Sequence, residues 1–275
     1  MHIELAFKIY QAVLLFIFGT IFGSFINCQA YRIVHQEKWW TGRSHCATCN
    51  HPLNGLDLIP ILSYLFLHGK CRYCGEKISP RYMLTELWMG IAFVGLFLSN
   101  SNTNMELLRD LGLTCVLLGI SLVDWETMEI PDGYILFGIF WWLLTNTGKL
   151  GIEWWAMDRK GGMRAASVYI LKTMGKSFLA AIAIAGIILL LSLVMDKILG
   201  KESMGGGDIK MLFMTTLYLG IWNGLFALIL SCVIGLLFIA FCKQKKIPFG
   251  PSIAIATYLG LTIGPFFTRW YLSML

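Results

Sequence analysis

The run at residues 176–199, KSFLAAIAIAGIILLLSLVMDKIL, has too little polarity to form a surface helix in water. Seven further apolar runs lie at roughly 5–28, 83–99, 107–124, 132–146, 209–220, 221–242 and 252–272. Crossing the hydrocarbon takes about 20 residues, fewer where the ends are anchored at the interface. Of 275 residues 57% are hydrophobic and 14% charged, more apolar surface than a soluble core of this size needs. The 28 glycines agree, because small residues let membrane helices approach closely. The expected fold class is an all-α polytopic membrane protein of about eight transmembrane helices with a small cytoplasmic loop domain. The fourth and sixth runs are short and call for burial in a bundle or a start below the surface. The apolar run from Ala12 to Ile26 leads into GSFINCQAYR, not into a small-residue cleavage site, so it reads as a retained first transmembrane helix.

Positive charge orients such a chain. The connection at 29–82 carries Arg32, Lys38, Arg43, Lys70, Arg72, Lys77 and Arg81 and is expected in the cytoplasm. SNSNTNME (99–106) has no positive charge and is expected outside, and KQKK (243–246) is expected inside. One connection conflicts. Residues 147–176 should be external, yet they hold Lys149, Arg159, Lys160, Arg164, Lys172 and Lys176. Trp154 and Trp155 suggest that part of this linker lies along the membrane surface. The net charge of +6 follows from topology, and no stripe of basic residues points to nucleic acid. The chain divides into a first transmembrane helix (1–28), a cytoplasmic loop (29–82) and a membrane-embedded core (83–275).

Inside that loop stand two pairs, Cys46-x-x-Cys49 and Cys71-x-x-Cys74, 21 residues apart. Each tight turn places two thiolates on one side, and two turns complete a tetrahedron, the arrangement of a structural zinc site. A reducing cytoplasm argues against disulfides. With four protein ligands the zinc would keep no open position, so it would hold the loop instead of performing chemistry. His45, His51 and His68 are nearby but unnecessary as ligands. The remaining cysteines, Cys28, Cys115, Cys232 and Cys242, lie in or beside apolar runs and read as packing residues.

Two acids stand out at the ends of apolar runs. Asp124 closes the third run, in GISLVDWETMEIPDGY, and Asp208 opens the sixth, in GGGDIKMLFM. Ionisable groups there are candidates for function. Asp208 could be a plain helix N-cap, and Asp132 a helix-start residue. Glu86 reads as interfacial or bonded to a neighbouring helix. Asp124 is harder to dismiss, since the helix dipole opposes a carboxylate at a C-terminus. Gly205, Gly206 and Gly207 would permit backbone conformations closed to other residues and the close approach of an extended peptide. Two carboxylates sharing a proton can activate water, one as base and one as acid. The helix ends assign the base to Asp208 and the shared proton to Asp124. Glu126 and Glu129, between Asp124 and Asp132, are placed to attract a basic peptide.

Taken in order, GSFINCQAYR (23–32), the paired cysteines, ISPRYMLTEL (78–87), Asp124 with its downstream IPD, GKESMGGGDIKM (200–211) and IPFGPSIA (247–254) resemble the type IV prepilin peptidases, membrane aspartic proteases with a Gly-x-Gly-Asp motif. The resemblance covers nearly the whole chain. It implies a multi-pass protein of the bacterial cytoplasmic (inner) membrane, with its active site facing the cytoplasm. Such an enzyme cleaves the short basic leader from prepilins, pseudopilins or competence pilins. It further implies catalytic roles for Asp124 and Asp208, zinc on Cys46, Cys49, Cys71 and Cys74, and N-methylation of the new N-terminus with S-adenosylmethionine. Cys28 and the basic linker at 147–176 are the visible departures. A Gly-x-Gly-Asp protease of the presenilin or signal-peptide-peptidase kind would cut within a transmembrane helix, which the cysteine loop and the short fourth and sixth runs argue against. A proton-coupled transporter using the two aspartates as a relay would leave the glycines and the cysteine loop unexplained.

Overall fold

A computed structural model describes residues 2–38, 42–99, 104–158, 163–201, 203–242 and 247–274. They form helices α1 (His2–Val34), α2 (Leu62–Phe66), α3 (Pro80–Ser99), α4 (Asn104–Thr127), α5 (Asp132–Asp158), α6 (Met163–Leu199), α7 (Gly206–Cys242), α8 (Gly250–Thr262) and α9 (Gly264–Leu272). No strand occurs among the described residues; two isolated bridges are the only extended pairing. The chain divides into two compact units, Met1–Leu98 and Ser99–Leu275.

In the first unit α1 and α3 pack through small residues. A Cβ on Gly19 would sit 2.5 Å from the Met89 carbonyl oxygen, and one on Gly90 would sit 2.7 Å from the Phe16 ring. Only glycine allows that approach, the usual device where two helices meet without a hydrophobic driving force. Asn27 of α1 donates a hydrogen bond to Thr85 of α3. Helix α3 begins at Pro80, a position where no N–H is needed. Glu86 is buried; it accepts the Ile61 N–H at 2.7 Å and hydrogen-bonds Ser24 of α1, as a neighbouring-helix contact was expected to do.

In the second unit α8 packs against both α4 and α7, and α5 packs against α4, α6 and α7. Leu113, Ile120, Met211, Met214, Leu217 and Ile253 are almost wholly buried among these helices. Three charged residues in the first two turns of α4 are paired: Arg109 Nε lies 2.8 Å from Asp110 Oδ1, and Lys149 Nζ of α5 lies 2.5 Å from Glu106 Oε1.

The helices depart from the expected runs in three places. Residues 147–158 continue α5 and residues 163–176 begin α6, so most of the basic linker is helical. The Trp154 and Trp155 side chains, Arg159, Lys160, the tract at 243–246 and residues 100–103 of the linker 99–106 lie outside the described residues and side chains. The last run is broken: α8 and α9 meet at 67°, because Gly264-Pro265 cannot continue the preceding hydrogen-bond ladder. The sixth and seventh runs follow each other with no connecting loop: α7 is two helical parts that meet at a kink at Gly220, whose φ of 69° and ψ of −174° form a conformation essentially confined to glycine. By length and hydropathy, four described helices can cross a membrane: Ile3–Val34, Pro80–Ser99, Met174–Leu199 and Gly206–Phe241. Counting α8 with α9 as one broken span makes five. Helices α4 and α5 do not pass on these criteria, and the expected eight crossings are not established by them.

Candidate active site and metal centre

The metal centre is built from two matching knuckles. In the first, the Cys46 N–H bonds the His51 carbonyl at 3.1 Å and the Asn50 N–H returns to the Cys46 carbonyl at 2.9 Å. The second repeats this with Cys71 N–H to Glu76 at 2.8 Å and Gly75 N–H to Cys71 at 3.0 Å. Asn50 (φ 57°) and Gly75 (φ 74°) turn the chain in the left-handed region just after each second cysteine. Asparagine and glycine are the residues that tolerate this conformation. Cys46, Cys49, Cys71 and Cys74 thereby bring four Sγ atoms within 4.8 Å of one another, with Cys46 and Cys74 3.9 Å apart. Four thiolates about 2.3 Å from one tetrahedral ion would be about 3.8 Å apart, so the cluster can hold a metal ion.

Beside the second knuckle, Arg72 Nε donates to Asp57 Oδ1 at 2.6 Å and Tyr73 Oη donates to Asp57 Oδ2 at 3.0 Å. Desolvation opposes ionisation of Asp57, but these bonds and the Asn54 N–H outweigh it and hold the carboxyl below its usual range. A depressed pKa means the clasp is fully present above the unfolded value and lost as pH falls through the folded one. His51 stacks on Tyr73 with ring centroids 3.7 Å apart, so it serves packing. Of the other cysteines, Cys28 and Cys115 are half-buried, Cys232 is exposed, and the Cys242 side chain lies outside the described ones.

The two aspartates come from α4 and α7. Asp124 sits in the last turn of α4, buried, and its Oδ2 accepts the Gly250 N–H at 2.8 Å. Asp208 is the third residue of α7, and its own N–H bonds the Gly205 carbonyl at 3.1 Å, so it is not the helix cap. It is half-buried, and it lies close enough to Asp124 to feel that residue's charge. Helix α8 brings this about: its first residue holds Asp124 while its body packs on α7. One carboxylate is thus anchored by a backbone N–H and buried, and the other is partly exposed.

The glycine triplet works differently from expectation. None of Gly205, Gly206 and Gly207 has a positive φ, so none adopts a conformation reserved for glycine. What they supply is space. A Cβ on Gly207 would lie 3.0 Å from Ile130 Cβ, and one on Gly205 would lie 3.3 Å from Asp208 Oδ2. Gly206 has nothing within 4 Å, so the backbone there is open to an approaching chain. The α4–α5 turn closes on the triplet from the other side, with Met128 at φ 57° and Lys210 Nζ 2.7 Å from Asp132 Oδ1. Asp132 does begin α5, as expected, and carries this exposed ion pair as well. Glu126 and Glu129 are both exposed on the same turn. Helices α5, α6 and α7 line an open groove of about 500 Å³ whose walls include Ile135, Ile139, Ala185, Ile209 and Phe213 together with Asp132 and Lys210.

Gly250 was not singled out by sequence reasoning, although it stands in the IPFGPSIA stretch. A Cβ there would lie 2.6 Å from Asp124 Oδ2. Replacing Gly250 with alanine is expected to push the Asp124 carboxylate aside and lower kcat at least about 10²-fold, the scale on which misplacing a reacting group acts. KM should change little. Steady-state kinetics on folded G250A protein decide this, and a wild-type kcat would show that the Gly250 contact does not position Asp124.

Comparison with known proteins adds to this geometry. The model of the bacterial peptidase A24 N-terminal domain matches residues 17–100, and that of the type IV leader peptidase family matches residues 111–240. The two matches part where the two compact units part. A prepilin leader peptidase/N-methyltransferase of Aeromonas hydrophila is 32% identical over 94% of this chain and 93% of its own length. Proteins of the same description from Neisseria gonorrhoeae and Bacillus subtilis are each 29% identical, covering 94% and 95% of this chain and 93% and 98% of their own. No solved structure gives a significant match. Matched almost end to end in both directions, this chain belongs to the type IV leader peptidase family.

Proposed function

We propose that this protein is a membrane aspartic endopeptidase. On this reading it removes the short basic leader from prepilins or pseudopilins at the cytoplasmic face of the bacterial inner membrane. It then N-methylates the new N-terminus. The observation that carries the reading is that Asp124 and Asp208, 84 residues apart in sequence, come near enough for the charge of one to act on the other, one buried and held by a backbone N–H and the other partly exposed. In the proposed step Asp208 takes a proton from water as its oxygen attacks the scissile carbonyl carbon. Asp124 gives its proton to the carbonyl oxygen. Collapse of the tetrahedral intermediate breaks the C–N bond: the proton held by Asp208 passes to the leaving amine, and one hydroxyl proton of the intermediate returns to Asp124, which restores both carboxyl groups to their starting states. Gly206 leaves room for the extended backbone, and the groove beside Ile209 suits the apolar segment after the cut.

Zinc is the metal best suited to four thiolates in tetrahedral spacing, and Cys46, Cys49, Cys71 and Cys74 would hold it structurally. S-Adenosylmethionine would supply the methyl group, a role resting on the names of the relatives alone. No side chain described above is assigned to it.

Mass spectrometry of a candidate prepilin co-expressed with this protein tests the reading. The expected product lacks the leader and carries one added methyl group; recovery of only the full-length precursor would sink it. We further assign Glu126 and Glu129 to holding the basic leader. Changing both to glutamine is expected to raise KM more than it lowers kcat, because rim charges act chiefly on encounter. Wild-type kinetics at both low and high salt would remove that role.

A further inference from the structure

Between the two cysteine pairs the chain reads GLDLIPILSYLF (55–66), which is unusually apolar for a loop outside a membrane. Its polar and apolar groups face different ways. On α2, Leu62, Leu65 and Phe66 fall at positions i, i+3 and i+4 and share one face, and all three are exposed, Phe66 by 78%. Tyr64 turns inward: its hydroxyl donates to the Ile78 carbonyl at 3.3 Å, and its ring packs on Gly69. Asp57 likewise turns to Arg72 and Tyr73. Leu56, Leu58 and Ile59 add to the outward apolar surface.

The height of this surface is fixed by a second observation. Ile61 adopts φ 62°, a strained conformation for a β-branched residue, and its N–H is held by Glu86 at 2.7 Å. Glu86 is the seventh residue of α3, about 9 Å along the helix from its start. That 20-residue helix is about 30 Å long, which matches the hydrocarbon thickness. Segment 55–66 is therefore pinned beside α3 at a level that lies within the bilayer boundary, not above it. Charge agrees. The connection 29–82 has seven Lys and Arg against Glu37, Asp57 and Glu76, a net +4, which suits an anionic headgroup layer.

We infer that residues 55–66 form a membrane-interface anchor, with Leu62, Leu65 and Phe66 inserted at the boundary between lipid headgroups and acyl chains. The inference rests on the membrane reading of α3 and is independent of the peptidase reading. It gives the cysteine knuckles a set height over the bilayer: the Gly69 N–H bonds the Tyr64 carbonyl at 2.8 Å, two residues before Cys71.

The full-length protein in nanodiscs of mixed zwitterionic and anionic lipid provides the test. One sample contains a lipid with a photoactivatable group near the headgroup end of its acyl chain; a second receives a water-soluble carbene reagent. Mass spectrometry then gives the lipid-to-water labelling ratio for residues 56–66. It is compared with the exposed face of α3 at Trp88 and Ile91 and with the first knuckle at Cys46–Leu53. A ratio near that of α3, falling several-fold in Phe66→Asp, is the expected result. A ratio near that of the knuckle, a ratio unchanged in Phe66→Asp, or cross-links to a second copy in place of lipid adducts would overturn the anchor. Leader cleavage measured on the same nanodiscs reports separately on the peptidase reading.

Discussion

Asp124→Asn and Asp208→Asn are each expected to lower leader cleavage by about 10³-fold or more, to the background of the assay. An amide matches a carboxylate in size, and an asparagine oxygen at position 124 can still accept the Gly250 N–H, so the fold has no reason to fail. What is lost is the exchange of protons. An amide at position 208 cannot take the proton of the attacking water, and an amide at position 124 cannot give one to the carbonyl oxygen. On the proposed mechanism the two carboxyl groups share one proton, so the pH–rate profile of the wild type is expected to belong to the dyad and not to either residue. Methylation of a pilin supplied already cleaved should survive both changes, since water activation has no part in it. Purified prepilin in detergent, each variant checked for intact helicity and thermal transition, is the assay. Substantial turnover in either variant would refute the aspartic mechanism. Loss of methylation along with cleavage would point to a shared site.

The candidate site residues stood out because each is costly where it stands. A carboxylate at the end of an apolar helix and four cysteines in two tight turns have few bland explanations, and the fold gathers the four cysteines into one cluster. What escaped was whatever depends on close approach between distant segments. Gly250 looks like any helix-start glycine until Asp124 Oδ2 is seen against its N–H. Gly207 invites an argument from φ, yet its reason is the Ile130 side chain. Asp110 was passed over inside a run, and only the fold shows Arg109 neutralising it. The linker at 147–176 misled for a related reason. Its lysines and arginines suggest an exposed loop, but the helical turns of α5 and α6 continue through most of it, and Lys149 is already paired with Glu106. The bend between α8 and α9 was written plainly in Gly264-Pro265; apolar content alone hid it.

Removing the metal should cost the loop its fold. Among the described residues from 42 to 79, Cys71 is the only buried hydrophobic, and the secondary structure amounts to a 3-10 turn at Gly55–Leu58 and the five residues of α2. A segment this poor in core cannot offset its own ordering entropy, which runs at about 1–2 kcal/mol per residue for the backbone. Four-coordinate zinc contributes on the order of 10–16 kcal/mol to small metal-folded domains. The Asp57–Arg72–Tyr73 clasp and the Ile61–Glu86 bond then act on a frame the metal has closed. Wild-type protein is expected to carry about one zinc per chain, with uptake releasing protons and weakening as pH falls, because every thiol must ionise to bind. Changing Cys46 and Cys71 together to serine takes one ligand from each knuckle. The double variant should lose its zinc and become cleavable by added protease between residues 42 and 79, while α1 and α3, held by Gly19, Gly90 and the Asn27–Thr85 bond, stay protected. A strong chelator on wild-type protein should produce the same cleavage pattern. Metal analysis and limited proteolysis, read side by side, check this; unchanged metal content in the double variant would end the assignment. Zinc lost with the loop still resistant would mean that the clasp and the Glu86 bond hold it without the metal.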